Sequence, residues 1–336
     1  MIYCIWNNKG GVGKTFLSFT LALEHAFRHK TKKVLLVDMC PQANLSEIML
    51  GGDGTGDQKL EKVLHARNRK TIGGYFDARI KSPHTLTGSE TSYLLHGIEC
   101  NNELLDNVYF ICGDPTLELQ AQVINQISSQ TLPIDAWRTI HLWVKDIVDK
   151  SINYLGDETT VDVFIDCNPS FSAYTELALA ASDNLIIPCS CDGSSARAIT
   201  NVRTLVYENS TYGGDRGFSA MCRKFDIPLP LVHSIILNRS TQYDNRASSA
   251  FRAMFDEIKR VSIQFFTELP SCFCAGDLKF MDIPDYHSVA IVSSHHGKPL
   301  FSITPGRYEV HDALPQINKE PLERYKNAIC ALEELL

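Results

Sequence analysis

Trp6-Asn7-Asn8-Lys9-Gly10-Gly11-Val12-Gly13-Lys14-Thr15 is the stretch on which the reading of this chain turns. Residues 1–6 before it form an apolar run that reads as a buried strand. After it, Leu17, Leu21, Ala22 and Ala26 recur at helical spacing. Strand, glycine loop and helix in that order are the setting of a phosphate-binding loop. The glycines let a ligand approach the backbone where a Cβ would clash. Successive N–H groups at the start of the helix then face one concavity, where the helix dipole favours an anion. Lys14 offers a cation to β- and γ-phosphates, and the Thr15 hydroxyl offers a ligand to Mg²⁺. An ordinary glycine turn with unrelated lysines would lack the matching strand, helix and both lysines.

Working outward, Val34-Leu35-Leu36-Val37-Asp38 is a continuous apolar run ending in a carboxylate, and Val161-Asp162-Val163-Phe164-Ile165-Asp166 reads as another buried strand ending in one. Such runs read as parallel strands buried on both faces, and ligands bind at their carboxyl ends. Residues 108–114, 184–188 and 231–239 read as further strands. Helical stretches are expected at 16–28, 59–81, 115–128, 135–153, 194–207, 247–261, 286–295 and 320–336. Trp137, Ile140, Trp143, Val144 and Ile147 share a helix face and read as core. Strands alternating with helices predict right-handed βαβ units: an α/β fold with a doubly wound, mainly parallel sheet. One domain spanning 1–336 is expected, with insertions near 54–107 and 209–230.

The composition narrows the class. The chain has 336 residues, 44% of them hydrophobic, which suffices for a sizeable core. No apolar run is long enough to cross a bilayer, and residues 1–15 carry no secretory leader pattern, so a cytoplasmic protein is expected. Eleven cysteines include the pairs Cys189/Cys191 and Cys272/Cys274, but their C-x-C spacing is not that of a zinc site. Reduced structural thiols are the expectation. A net charge of −7 argues against an overall basic coat without excluding a local basic patch.

The pattern G-x-x-x-x-G-K-[ST] is not met, because its first glycine falls on Asn8; K-G-G-V-G-K-T stands there instead. This loop, with its extra Lys9, resembles the deviant Walker A loop of the ParA/MinD-type ATPases, closest to the ParA partition and positioning members. Two more segments carry the resemblance. Asp38-Met39-Cys40-Pro41-Gln42-Ala43-Asn44-Leu45-Ser46 resembles the family's D-x-D-P-Q-x-N-x-[ST], with Cys40 replacing its second aspartate. Asp166-Cys167-Asn168-Pro169-Ser170 resembles its Walker B D-C-P-P-S, with Asn168 replacing a proline. A DNA-reading helix-turn-helix domain before the loop, as in the longer plasmid-partition members, is not expected.

The resemblance implies a P-loop ATPase that uses ATP and Mg²⁺. Gly10, Gly11, Val12, Gly13, Lys14, Thr15 and Phe16 would hold the nucleotide. Asp38 would orient the attacking water beside the metal, and Asp166 would hold Mg²⁺ through its water shell, with Thr15 a direct ligand. Lys9 would reach across an ATP-dependent homodimer to the partner's phosphates, acting in catalysis with Lys14 and Asp38. Asn238 and Arg239 would line the adenine, with Pro270 closing over it. Simpler readings stand beside these: strand-end carboxylates can cap turns, Lys9 can be solvated, and Asn238 can cap a turn. Cys40 puts turnover in question more than binding, because Mg²⁺ prefers oxygen.

The implied function is a dimerising switch that partitions or positions DNA or another cargo, with slow hydrolysis stimulated by a ParB-like or other activating partner. Residues 197–260 hold ten Lys/Arg against six Asp/Glu. Arg197, Arg203, Arg223, Lys224, Arg246 and Arg252 could track the phosphates of non-specific DNA, and the protein could then be nucleoid-associated; solvated helix faces would look the same. A MinD-like membrane-surface switch is the alternative. Residues 320–336, with four acids against two bases, do not suit anionic lipid, and no membrane partner is expected. An ATP-binding assembly adaptor with little hydrolysis is the other alternative.

Overall fold

The structure, a computed structural model, describes residues 1–130, 132–208, 214–240, 249–285 and 287–336. Its strands are β1 (Ile2–Ile5), β2 (Lys33–Met39), β3 (Leu95–His96), β4 (Val108–Ile111), β5 (Val161–Cys167), β6 (Asn184–Cys189), β7 (Leu231–Ser240) and β8 (Phe280–Pro284). They form one sheet in the order β3-β4-β2-β5-β1-β6-β7-β8. Every pairing is parallel except β3 with β4. This is the doubly wound P-loop architecture expected from the alternating pattern. Its central strands are buried along nearly their whole length because helices cover both faces.

Successive residues supply the two cores. Leu35, Val37, Val163 and Ile165 point to the face packed by Trp143, Val144 and Ile147. Leu36 and Phe164 point to the other, which is packed by Leu17, Phe19 and Ile329. The Trp stripe is thus core, as its periodicity predicts, although its helix is interrupted at Leu142 into Ala136–His141 and Trp143–Leu155. Among the described residues no disulfide is formed, and Cys4, Cys40, Cys112, Cys167, Cys189 and Cys222 are buried.

Several boundaries move. The stretch 59–81 is two helices, Gly56–Leu64 and Ile72–Lys81. The segment expected to be irregular contains β3, whose two residues are too few to show an alternation. The helix after β7 runs Ser249–Glu268, seven residues past the expected end, and residues 241–248 lie outside the described residues. β8 was not expected at all. It adds a last, half-buried strand beside β7.

Candidate functional site

Strand order puts the expected chemistry at one edge. β5 lies between β1 and β2, with Ile5 opposite Asp166 and Asp166 opposite Asp38. The phosphate loop leaves β1 at its carboxyl end and enters helix Lys14–Arg28 through Gly13, whose φ of 78° lies in the left-handed region that glycine tolerates. A cleft of about 600 Å³ opens there. Gly10, Gly11, Gly13, Lys14, Thr15 and Phe16 line one side, and Cys40, Gln42, Cys167 and Pro169 are among the residues that line the others.

Lys14 is buried. Its Nζ donates to the carbonyls of Asn7 (3.2 Å) and Lys9 (2.7 Å), which curls the loop around the ammonium. Burial lowers its pKa, and Asp166 pulls the other way. Val12 is buried below the loop, and its carbonyl accepts from Asn238 Nδ2 at 2.9 Å. Asn238 therefore ties the end of β7 to the loop backbone. The Arg239 side chain and Arg246 lie outside the described residues.

The two carboxylates lie beneath the cleft floor and differ in their partners. Asp38 Oδ1 accepts from the Cys40 N–H at 2.9 Å, while Oδ2 accepts from Ser46 N–H at 2.9 Å and Ser46 Oγ at 2.6 Å. Burial still pushes its pKa up to about 6, the hydrogen bonds offsetting only part. Asp166 Oδ1 accepts from Ser18 Oγ at 2.9 Å, but its buried Oδ2 has no partner. Burial, then the neighbouring Asp38, push Asp166 up to about 7, with the nearby Thr15 and Ser18 hydroxyls and Lys14 pulling the other way. An unpartnered buried carboxylate oxygen beside Thr15 fits a hydrated Mg²⁺, because orphaned oxygens are costly unless something completes them. Cys40 is nearly buried, and burial followed by repulsion from Asp38 pushes its thiol up to about 12, so it is a neutral thiol. Ser46 and Ser18 had no role in the sequence reading. Each is legible only as a hydroxyl near a motif: Ser46 ends the Asp38 segment, and Ser18 lies one helical turn after Lys14.

Lys9 is not free. Its Nζ donates to Ser190 Oγ at 2.9 Å and Ser195 Oγ at 3.0 Å, and it pairs with Asp192. Asp192 follows β6, so this contact spans the loop and the start of helix Ser195–Val202. Burial would raise the Asp192 carboxyl, but Lys9, Ser190 and Ser194 together hold it well below the usual carboxylate range.

Pro270 requires a correction. It lies in the turn Pro270–Cys272, directly before Phe273, which bridges to Val232 at the start of β7. Cys274 Sγ meets Asn184 Oδ1, at the start of β6, at 2.9 Å. This is the sheet edge opposite the phosphate loop. A helix returning from the carboxyl end of β7 must deliver its following turn there, so Pro270 is not beside the cleft. Pro284, which ends β8 in register with Ser240, holds the corresponding place on the loop's edge.

Of the basic candidates, Arg203 is neutralised by Glu208 and Glu268, each at 2.5 Å. Arg197, Arg223, Lys224 and Arg252 are exposed. Among the described residues, no helix is long and apolar enough to cross a membrane.

Known proteins agree with this fold. Residues 1–210 match the model of a family described as an AAA domain. An uncharacterized protein of Mycobacterium tuberculosis is 27% identical over 262 residues, covering 77% of this chain and 63% of that one. The chromosome partitioning protein ParA of Myxococcus xanthus is 29% identical over 192 residues, covering 57% and 52%. The chain therefore spans less than two thirds of the length of these curated relatives. Among solved structures, the ATP complex of McdA from Cyanothece superposes with a TM-score of 0.60 at 16% identity, covering 98% of this chain and 96% of that one. A plasmid partition protein of Borrelia burgdorferi bound to AMPPNP gives 0.53 at 17% identity, covering 100% and 99%. At these identities the structural likeness speaks for the fold.

Proposed function

The chain belongs to the AAA domain family as a ParA/MinD-type P-loop ATPase, and from that premise we propose that it is an ATP-dependent dimerising switch that partitions or positions DNA or another cargo. The observation that carries this reading is one cleft of about 600 Å³ lined by Lys14 and Thr15, with the unpartnered oxygen of Asp166 buried beneath its floor and Asp38 in the adjacent register position. A bound Mg²⁺ would supply charge neutralisation between the phosphates. Thr15 would ligate it and Asp166 would hold its water shell. The loop N–H groups and Lys14 hold the β- and γ-phosphates. Asp38, whose Oδ1 keeps a lone pair, positions the attacking water.

Lys9 acts in the dimer. Within one chain it is held by Asp192 and two serines. Two nucleotides brought face to face would repel strongly in a desolvated interface, and a lysine from each partner offsets that charge. Closure therefore exchanges the Asp192 contact for the partner's phosphates. The exposed Arg197, Arg223, Lys224 and Arg252 are the residues proposed for DNA phosphates, paired across the dimer. The relatives named for partitioning support cargo positioning, and a ParB-like activator is the partner proposed to stimulate turnover.

The close engagement of Asp38 by Cys40 and Ser46, with a thiol in place of a second carboxylate, favours a second reading: an assembly adaptor that binds ATP and barely hydrolyses it. Turnover measured with and without duplex DNA and an activator, beside the mass of the ATP-bound species, separates the two. A switch turns over and dissociates, whereas an adaptor dimerises and stays dimeric. Absence of both ATP binding and dimerisation would overturn either reading.

A further inference from the structure

Three segments distant in sequence meet beside the nucleotide cleft. The loop after helix Asn44–Leu50 carries Asp53, and the last turn of helix His287–His296 carries His295. A tight turn closed by reciprocal Val310–Ala313 hydrogen bonds of 2.9 and 3.0 Å carries His311. Asp53 Oδ1 touches His295 Nδ1, and Asp53 Oδ2 lies 3.3 Å from His311 Nε2. The three side chains offer ligand atoms that all lie within 4.8 Å of one another. We propose that Asp53, His295 and His311 form a binding site for a divalent transition-metal ion of the Zn²⁺ class, with its remaining coordination open to solvent.

The donor set selects the ion. Two imidazole nitrogens and one carboxylate suit borderline-soft cations such as Zn²⁺, whereas Mg²⁺ and Ca²⁺ take oxygen. The backbone is built to hold these donors together. Gly52 has φ +77°, and a Cβ there would come within 2.2 Å of the Ser294 carbonyl oxygen and 2.3 Å of that of His295. The Asp53 loop is thus pressed against the helix end that presents His295. His311 holds φ +50°, uncommon for a residue with a side chain, in the turn that brings it to Asp53. Glu47 and Asp57 lie on the Asp53 side, with Lys59 and Lys298 beside His295 on the other. His311, 70% exposed, leaves a path from solvent.

The other compact His–carboxylate group among the described residues, His25, His29 and Glu333, behaves differently. There both ring nitrogens of His25 are committed, to Glu333 at 2.8 Å and Asp162 at 2.9 Å, while Arg28 and Lys32 supply the positive charge. It is an ion-pair network already balanced by the protein. The ion pairs of Asp53 go to imidazoles alone, which a metal ion can replace as the central charge. Asp53 and Ser294 also line the nucleotide cleft, so a bound ion would fix one of its walls.

The test uses the full chain without nucleotide, so it stands apart from the ATPase reading. Zn²⁺ is titrated calorimetrically in excess Mg²⁺, and Co²⁺ is then substituted for spectroscopy. One strong Zn²⁺ equivalent is expected, weakened by about tenfold or more in both His311→Ala and Asp53→Asn. The exposed position of His311 makes its variant the better-folded control, checked by an unchanged thermal melt. Co²⁺ should give visible d–d bands without the near-ultraviolet charge transfer that thiolate ligation produces, which separates this site from the eleven cysteines. Equal Zn²⁺ affinity in wild type and His311→Ala, no strong equivalent in wild type, or a thiolate charge-transfer band at the strong site would each overturn the proposal.

Discussion

Asp38 and Asp166 face each other across two strands, yet their partners differ enough to separate their roles. Asp38 is held by three hydrogen bonds from Cys40 and Ser46, so its orientation is fixed before any substrate arrives. Asp38→Ala is predicted to keep ATP affinity within a few-fold while lowering turnover by about 10² or more, the usual contribution of a proton-accepting group. Steady-state hydrolysis beside equilibrium binding of a fluorescent ATP analogue checks this; undiminished turnover would make Asp38 purely structural. Lys14→Ala is predicted to abolish measurable nucleotide binding, because the loop curls around that one ammonium. Cys40→Asp would set a third carboxylate beside two whose carboxyls burial already pushes up. The variant is predicted to melt lower than wild type without ligand and to regain the loss with Mg²⁺ and ATP, whose positive ion offsets the added charge. Melting curves with and without ligand measure both effects.

Between the phosphate loop and helix Ser195–Val202, Lys9 is held by a turn whose aspartate lies 183 residues further on. No sequence pattern could have paired Lys9 with Asp192. The central strands were legible because a strand buried on both faces leaves an unbroken apolar run, as in Val34-Leu35-Leu36-Val37. β8 was not, since Phe280-Met281-Asp282-Ile283-Pro284 is half-buried at the sheet's edge and carries a charge mid-strand. Without β8, nothing in the sequence tells which end of the strands the turn at Pro270 occupies. The loop lysines, Asp38 and Asp166 needed only strand ends and could be read directly. The hydroxyls that support them, Ser18 and Ser46, needed the packed structure. The Lys9 contact makes its own prediction. Asp192→Ala frees the lysine and should tighten ATP-dependent dimerisation by several-fold, read as a lower protein concentration at the midpoint of association. An unchanged midpoint would show that the contact does not compete with closure.

Across the molecule, Asp162 of β5 is bound by His25 of helix Lys14–Arg28 at 2.9 Å and by Lys32 of the turn that follows it at 2.7 Å. His25 passes the connection to Glu333 on helix Lys319–Glu333. Burial would raise the Asp162 carboxyl, but the hydrogen bonds from His25 and Lys32 outweigh it and hold it well below the usual carboxylate range. A depressed carboxyl stabilises the fold above its unfolded value of about 4, and that contribution fades as pH falls through the lower folded value. Asp162→Asn is therefore predicted to cost about 3 kcal/mol at pH 7, and less at pH 3, by urea denaturation. A difference that does not shrink toward pH 3 would mean the network is not electrostatic. The stable body so built carries the nucleotide cleft at one edge, and the proposed cycle requires two such edges to meet. Light scattering on the wild type and on Lys9→Ala, each with a non-hydrolysable ATP analogue, measures that directly. The account predicts the mass of two chains for the wild type and of one for the variant, with nucleotide still bound. A wild type that stays at one chain with nucleotide bound, or a Lys9→Ala variant that dimerises equally well, would contradict it.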